Sequence, residues 1–233
     1  MLREILLLCL AGGVCALDTA TAWQLMLSQP LVSGTAAGLL VGAPHAGIFI
    51  GLVLQLLWSA AIPMGARPMP DAPVGSVSGV WFAVTLLETN CLASSSFCYL
   101  LGLIAALAVA LLGRRTILLE REIGRRLFKR FVKNVNDGRD ARPEKAVSLA
   151  VAIGFARGFL LCLLAMGALT PLALLLAENP GLSARDYSLT LLVLEALGVG
   201  VLFSVFVGRS RARLLTFGGG AAWAFLIMSV FRR

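Results

Sequence analysis

Apolar residues run through this chain in long blocks, and polar residues break those blocks very unevenly from one half to the other. The cleanest block is Cys91 to Gly113, about 23 residues, or roughly 34 Å as a helix rising 1.5 Å per residue. It stops at Arg114 and Arg115. Ala146 to Ala177 is a second long block that contains Arg157 and Pro171, and it reads as one tilted span or as a span plus an interfacial piece. Tyr187 to Val207 and Leu214 to Phe231 complete the C-terminal half. The N-terminal half is broken by "LDTATA", "SQPLVSG", "GAPHAG" and "LQLLWSAAIPMGARPMPDAP" into pieces too short to cross roughly 30 Å of hydrocarbon independently. The expected fold is all-α, a polytopic integral membrane protein with broken or re-entrant helices in its N-terminal half. Irregular backbone at membrane depth survives only where protein buries it or water reaches it, so a permeation site belongs in that half.

Composition agrees with this pattern. The 233 residues are 59% hydrophobic and 14% charged, with a mean hydropathy of +0.90, far from a soluble globular domain. The net charge of +8 does not point to nucleic acid, because about half of all Lys and Arg fall in "RRTILLEREIGRRLFKRFVKNVNDGRDARPEK" between two apolar blocks. By the positive-inside rule that segment is cytoplasmic, "ENPGLSARD" is outside and "GRSRAR" returns inside, with Arg232 and Arg233 a small deviation. The stripe Leu119, Ile123, Leu127, Phe131 and Val135, ringed by Arg and Lys, predicts an amphipathic helix resting on anionic membrane lipid, and docking of a cytoplasmic partner is the second reading.

Five cysteines without CxxC spacing give neither a metal site nor a disulfide framework. At the N-terminus, Arg3, the apolar run from Ile5 to Leu10 and the small residues near Ala16 fit an uncleaved membrane segment better than a cleaved signal peptide in so apolar a chain. Gly34, Gly38 and Gly42, then Gly47 and Gly51, recur every four residues and predict close helix packing.

Charges within or beside apolar blocks cost roughly 2.5 to 3.5 kcal/mol each at the bilayer centre, so Asp18, Asp71, Glu88, Arg157 and Glu195 need partners or a polar cavity. Arg157 and Glu195 are the expected ion pair, and Glu88 marks a boundary. Asp18 keeps company with Thr19, Thr21 and Gln24, and Asp71 with Ser76 and Ser78, while Gln55 sits in "VLQLLW". Such groups can hydrogen-bond the hydroxyls of a sugar-like solute, with the Trp58 ring as a stacking face. "GAPHAG" makes the single histidine, His45, an expected turn residue, and with one histidine no Ser-His-Asp set or zinc site is assembled from the sequence. There is no P-loop, and "GSVSG" has Val77 where a nucleophile elbow has serine. No catalytic residue and no cofactor follow from the sequence.

The stretch "ALDTATAWQLMLSQPLVSGTAAGLLVGAPHAGIFIGLVLQLLWSAAIPMGARPMPDAP" resembles the N-terminal half of the mannose/sorbose-family enzyme IIC subunit of bacterial phosphoenolpyruvate-dependent sugar phosphotransferase systems (PTS). The resemblance rests on the order LD, PLVS, G-x-P, L-x-L-x-W, P-x-G and PD over about the first 80 residues. It implies a single transmembrane domain over residues 1–233: a sugar-site half (1–90), a basic cytoplasmic segment (114–145) and C-terminal spans (146–233). It also implies a non-phosphorylated, multi-pass permease subunit of the bacterial cytoplasmic membrane. Such a subunit pairs with a IID membrane subunit and passes a hexose or amino sugar to soluble IIA and IIB phosphocarriers. By motif position, Asp18, Gln55 and Asp71 map to the polar site, with Trp58 and Arg67 nearby. One departure is Gln55, where the family pattern carries an acid. That keeps open a transport-dead regulatory or scaffold homologue, and an ion-coupled secondary transporter using Asp18 or Asp71 is the third reading. The sequence does not name the sugar, and homo-oligomerisation stays open.

Overall fold

The computed structural model describes residues 1–22, 24–59, 69–89, 95–138, 142–177 and 188–206, with residues 215, 218–220 and 222–223 beyond them. These form seven helices: α1 (Leu2–Ala20), α2 (Pro30–Leu40), α3 (Pro44–Trp58), α4 (Ala72–Glu88), α5 (Ser95–Asn136), α6 (Pro143–Ala177) and α7 (Ser188–Phe206). The described residues are thus all-α, as the hydrophobic pattern predicts. Two helices, α5 and α6, are long and apolar enough to cross a bilayer.

Prolines open helices throughout this fold. Pro30 starts α2, Pro44 starts α3 and Pro73 sits in the first turn of α4, positions where the missing N–H has no intrahelical partner to lose. The α2–α3 turn depends on Gly42, whose φ of 74° is left-handed; the Ala43 N–H donates to the Gly38 carbonyl at 2.8 Å and closes the helix end. At 11 and 15 residues, α2 and α3 are roughly 16 and 22 Å long, too short to cross the hydrocarbon alone. They form a hairpin of short apolar helices, in keeping with the broken helices expected in the N-terminal half.

Glycine carries the packing of that hairpin. A Cβ on Gly34 would lie 2.9 Å from the Gly47 carbonyl oxygen, and one on Gly51 would lie 2.6 Å from that of Pro30. The glycine spacing therefore puts backbone against backbone at Gly34, Gly38, Gly47 and Gly51, as the small-residue pattern predicts, whereas Gly42 packs against nothing and serves the turn instead. Helix α4 is buried from Pro73 through Leu86, which explains why it reads as apolar on every side. Gly75 and Gly79 let it lie against Gly102, Ala106 and Ala110 of α5. It is tied to α2 by a Ser33–Ser76 hydroxyl contact at 2.7 Å and to α6 by the Trp81 indole N–H donating to Thr170 at 3.0 Å.

One expectation changes here. The amphipathic basic helix is not a separate interfacial element but the second half of the 42-residue α5, about 63 Å in all. Its four-residue stripe splits because each step drifts about 40° around the helix, roughly 160° over four steps. Leu119 and Ile123 are exposed, whereas Gly124, Leu127 and Phe131 turn to Pro143, Ala146 and Ala150 at the start of α6. The block from Ala146 to Ala177 is one continuous helix with Pro171 inside it, so of the two sequence readings the single span holds. Cys91–Ser94, the "ENPGLSARD" and "GRSRAR" loops and most of Leu214–Phe231 lie outside the described residues.

Replacing Gly47 by Val should lower the melting temperature of the purified protein or prevent its recovery, because overpacking costs about 1 to 3 kcal/mol and the opposing atoms are backbone. Gly124→Ala, where nothing lies within 4 Å of the added methyl, should be neutral or stabilising by about 0.5 to 1 kcal/mol. A thermal unfolding series on both variants measures the contrast.

Candidate functional site

Asp18 lies at the C-terminal end of α1, only 3% exposed. Its carboxylate accepts the backbone N–H groups of Leu25 and, at 2.8 Å, of Ser28. Between α1 and α2 the chain passes through left-handed backbone at Gln24 (φ 52°) and Met26 (φ 63°), a conformation that costs a non-glycine residue of order 1 to 3 kcal/mol. Charge-assisted hydrogen bonds of about 1.5 to 3 kcal/mol each offset that cost. Asp18 thereby folds the loop that delivers Ser28 and Gln29.

Gln29 is where this loop meets α3. The Gln55 side-chain amide donates to the Gln29 side-chain oxygen at 2.8 Å, and the Gln55 Oε1 atom is buried without a protein partner. Around the pair is a cavity of about 430 Å³ lined by Thr19, Ser28, Gln55, Trp58, Met69 and Pro70, among others. Its size and mixture of hydroxyls, amides and one indole suit a small polar ligand with an apolar ring face. Gln29 and Ser28 escaped the sequence reading because each is an unremarkable polar residue; the Gln-Pro pair opening α2 was the available signal.

Asp71 behaves differently from the other expected site residues. It is fully buried, and although its neighbours Pro70 and Ala72 line the cavity, Asp71 does not. Its backbone N–H donates to the Ala110 carbonyl at 2.9 Å, and its carboxylate pairs with the Arg157 guanidinium. Arg157 also donates through Nε to Glu120 at 2.5 Å, and Glu120 accepts the Thr21 hydroxyl at 2.7 Å. The expected Arg157–Glu195 pair is thus replaced by an Asp71–Arg157–Glu120 network joining the loop before α4, α5, α6 and the end of α1. A carboxylate 86 residues away in sequence wins because Gly113 lets Asp71 sit against α5, directly facing α6. Among the site residues expected from the sequence, the structure brings Gln55 and Trp58 to one cavity and sets Asp18 behind its loop. It directs Asp71 inward, and Arg67 lies outside the described residues.

The sequence model of the PTS system sorbose-specific IIC component matches residues 2–231. The chain belongs to this family. The IIC family is membrane-embedded, which agrees with the apolar helices α5 and α6. A 59-residue stretch, 25% of this chain, is 34% identical to the putative N-acetylgalactosamine permease IIC component 2 of Escherichia coli (strain K12). That match spans 44% of the relative's length, less than half of it. No solved structure matches the chain. For this IIC chain, the family assignment gives the Gln55 cavity a context without naming its ligand. Among the described residues no group of His, Cys, Asp and Glu could hold a metal ion.

The network holds two carboxylates and one guanidinium, so its members are not equivalent. Arg157→Met leaves the buried Asp71 and the partly buried Glu120 without their shared cation and should destabilise the protein by about 3 to 5 kcal/mol. Asp71→Asn leaves a one-to-one Arg157–Glu120 pair and should cost clearly less. Chemical or thermal unfolding of the two single variants and the double variant tests this order, and additive effects would refute the coupling.

Proposed function

We propose that this chain is the sugar-translocating subunit of a mannose-family PTS, spanning the bacterial cytoplasmic membrane several times as one transmembrane domain. It works with a IID membrane subunit and with soluble IIA and IIB proteins that carry the phosphoryl group, and it performs no phosphoryl chemistry itself. The observation that carries this reading is the Gln55 cavity. It places two side-chain amides, hydroxyls and the Trp58 ring together beside the Asp18-folded loop. Amides both donate and accept, so the Gln29–Gln55 pair can exchange its mutual hydrogen bond for sugar hydroxyls without stranding a buried charge. In this reading Gln55, Gln29 and Trp58 touch the sugar, and Asp18 and Asp71 hold the walls. The substrate is a hexose or amino sugar, and the relative's name makes N-acetylgalactosamine the first to test.

The cavity also bears on the substitution at position 55. A carboxylate there would have to hydrogen-bond a Gln29 turned to donate, and it would bring a charge against the apolar end of α3. Glutamine keeps the same reach without that charge. A proton-coupled secondary transporter working through Asp18 or Asp71 needs that carboxylate free to exchange a proton, whereas both are committed to structural partners.

Gln55→Leu should leave the protein in the membrane but weaken sugar binding by at least tenfold. Membranes carrying the chain and its IID subunit, supplied with phosphorylated IIB and labelled N-acetylgalactosamine or mannose, should yield sugar phosphate. Assembly without product from any sugar would instead mark a regulatory subunit, and uptake driven by a proton gradient without IIB would mark a secondary transporter.

A further inference from the structure

A second polar cavity, about 330 Å³, lies between the end of α1, the part of α5 beyond Arg114, and the first half of α6. Thr19 lines both this cavity and the Gln55 cavity, so the two adjoin at that residue. The second cavity's polar lining comprises Thr19, Thr21, Gln24, Glu120 and Arg121, and Leu127 and Ile153 add an apolar side. Hydroxyls, an amide, a carboxylate and a guanidinium facing apolar side chains are what a polyhydroxylated ring requires: donors and acceptors around its edge and a dry surface against its face.

Position gives this cavity a direction. Asp71, between the cavity-lining Pro70 and Ala72, packs against Gly113, the last residue before the paired Arg114 and Arg115. Glu120 and Arg121 lie about two helical turns further along α5, inside the strongly basic segment that faces the cytoplasm under the positive-inside rule. The two cavities also share one charge network. Glu120 in the second wall accepts from Arg157, and Arg157 pairs with Asp71, whose neighbours Pro70 and Ala72 line the first. A solute that displaces Thr21 or Arg157 from Glu120 changes what holds the loop at Pro70.

We infer that the cavity between α1, α5 and α6 is a second sugar subsite on the cytoplasmic exit route, reached from the Gln55 cavity past Thr19 and coupled to it through Asp71, Arg157 and Glu120. This rests on the permease reading above. The second subsite holds the sugar beyond the apolar part of α5, where a soluble phosphocarrier can reach it.

The test uses membranes with the full chain and its IID subunit, in a Cys91→Ser background, since Cys9, Cys15, Cys98 and Cys162 are buried. Single cysteines are placed at Met69, in the first cavity, and at Ile153, in the second, and their modification by N-ethylmaleimide is timed with and without saturating N-acetylgalactosamine. Protection of at least threefold at both positions is the expected result. Protection at Met69→Cys alone overturns the second subsite and leaves the permease reading standing; protection at neither overturns both. Separately, Gly124→Trp puts a bulky ring into open space in the wall of the second cavity. It should cut sugar phosphate formation at least tenfold while protection at Met69→Cys persists, and Gly124→Ala should not. Undiminished product formation by Gly124→Trp overturns the exit role.

Discussion

A guanidinium held inside an apolar helix bundle organises the rest of this structure. Arg157 is 7% exposed in its side chain, pairs with Asp71 on one side and donates to Glu120 on the other. Burying a lone charge would be prohibitive, so the three groups are retained together or not at all. Their partners lie on the loop before α4, on α5 and on α6, and Thr21 brings in the end of α1. The network sets where Asp71 sits, and Asp71 sets where Pro70 and Ala72 enter the wall of the Gln55 cavity.

Close backbone approach supplies the second organising constraint. Without a hydrophobic driving force between helices in lipid, contact area has to come from van der Waals fit. The α2–α3 hairpin obtains it through Gly34, Gly38, Gly47 and Gly51, and α1 meets α6 through Gly12 and Gly158. Helix α4 lies in the middle with hardly any exposed side chain. The polar elements of the site are thus fixed on packed helices, while the Asp18 loop joins two of them by hydrogen bonds that stabilise an otherwise unfavourable backbone.

Much of this was legible beforehand, and the exceptions have physical causes. The glycine spacing foretold close helix packing because residues four apart lie on one helix face whatever the partner. Gln55 and Trp58 stood out because polar and aromatic groups near a helix end, just before a proline-rich stretch, have few uses in lipid. The Arg157 partner was misjudged because any intramembrane acid satisfies the charge argument, and only the helix arrangement chooses among Asp71, Glu120 and Glu195. The basic stripe reads as one continuous face because four-residue spacing resembles a helical period over two turns and departs from it over four.

The sequence by itself determined an all-helical membrane chain, a broken N-terminal half, a basic segment after the first long apolar block and membership of the IIC family, since these depend on hydropathy, spacing and local motif order. The tertiary structure decided that Asp71 faces Arg157 rather than the cavity, that Gln29 meets Gln55, and that Thr19 lines both polar cavities. Those are contacts across 26 to 86 residues. Which pairs form depends on how glycine-lined helices slide together, and no local pattern carries that information.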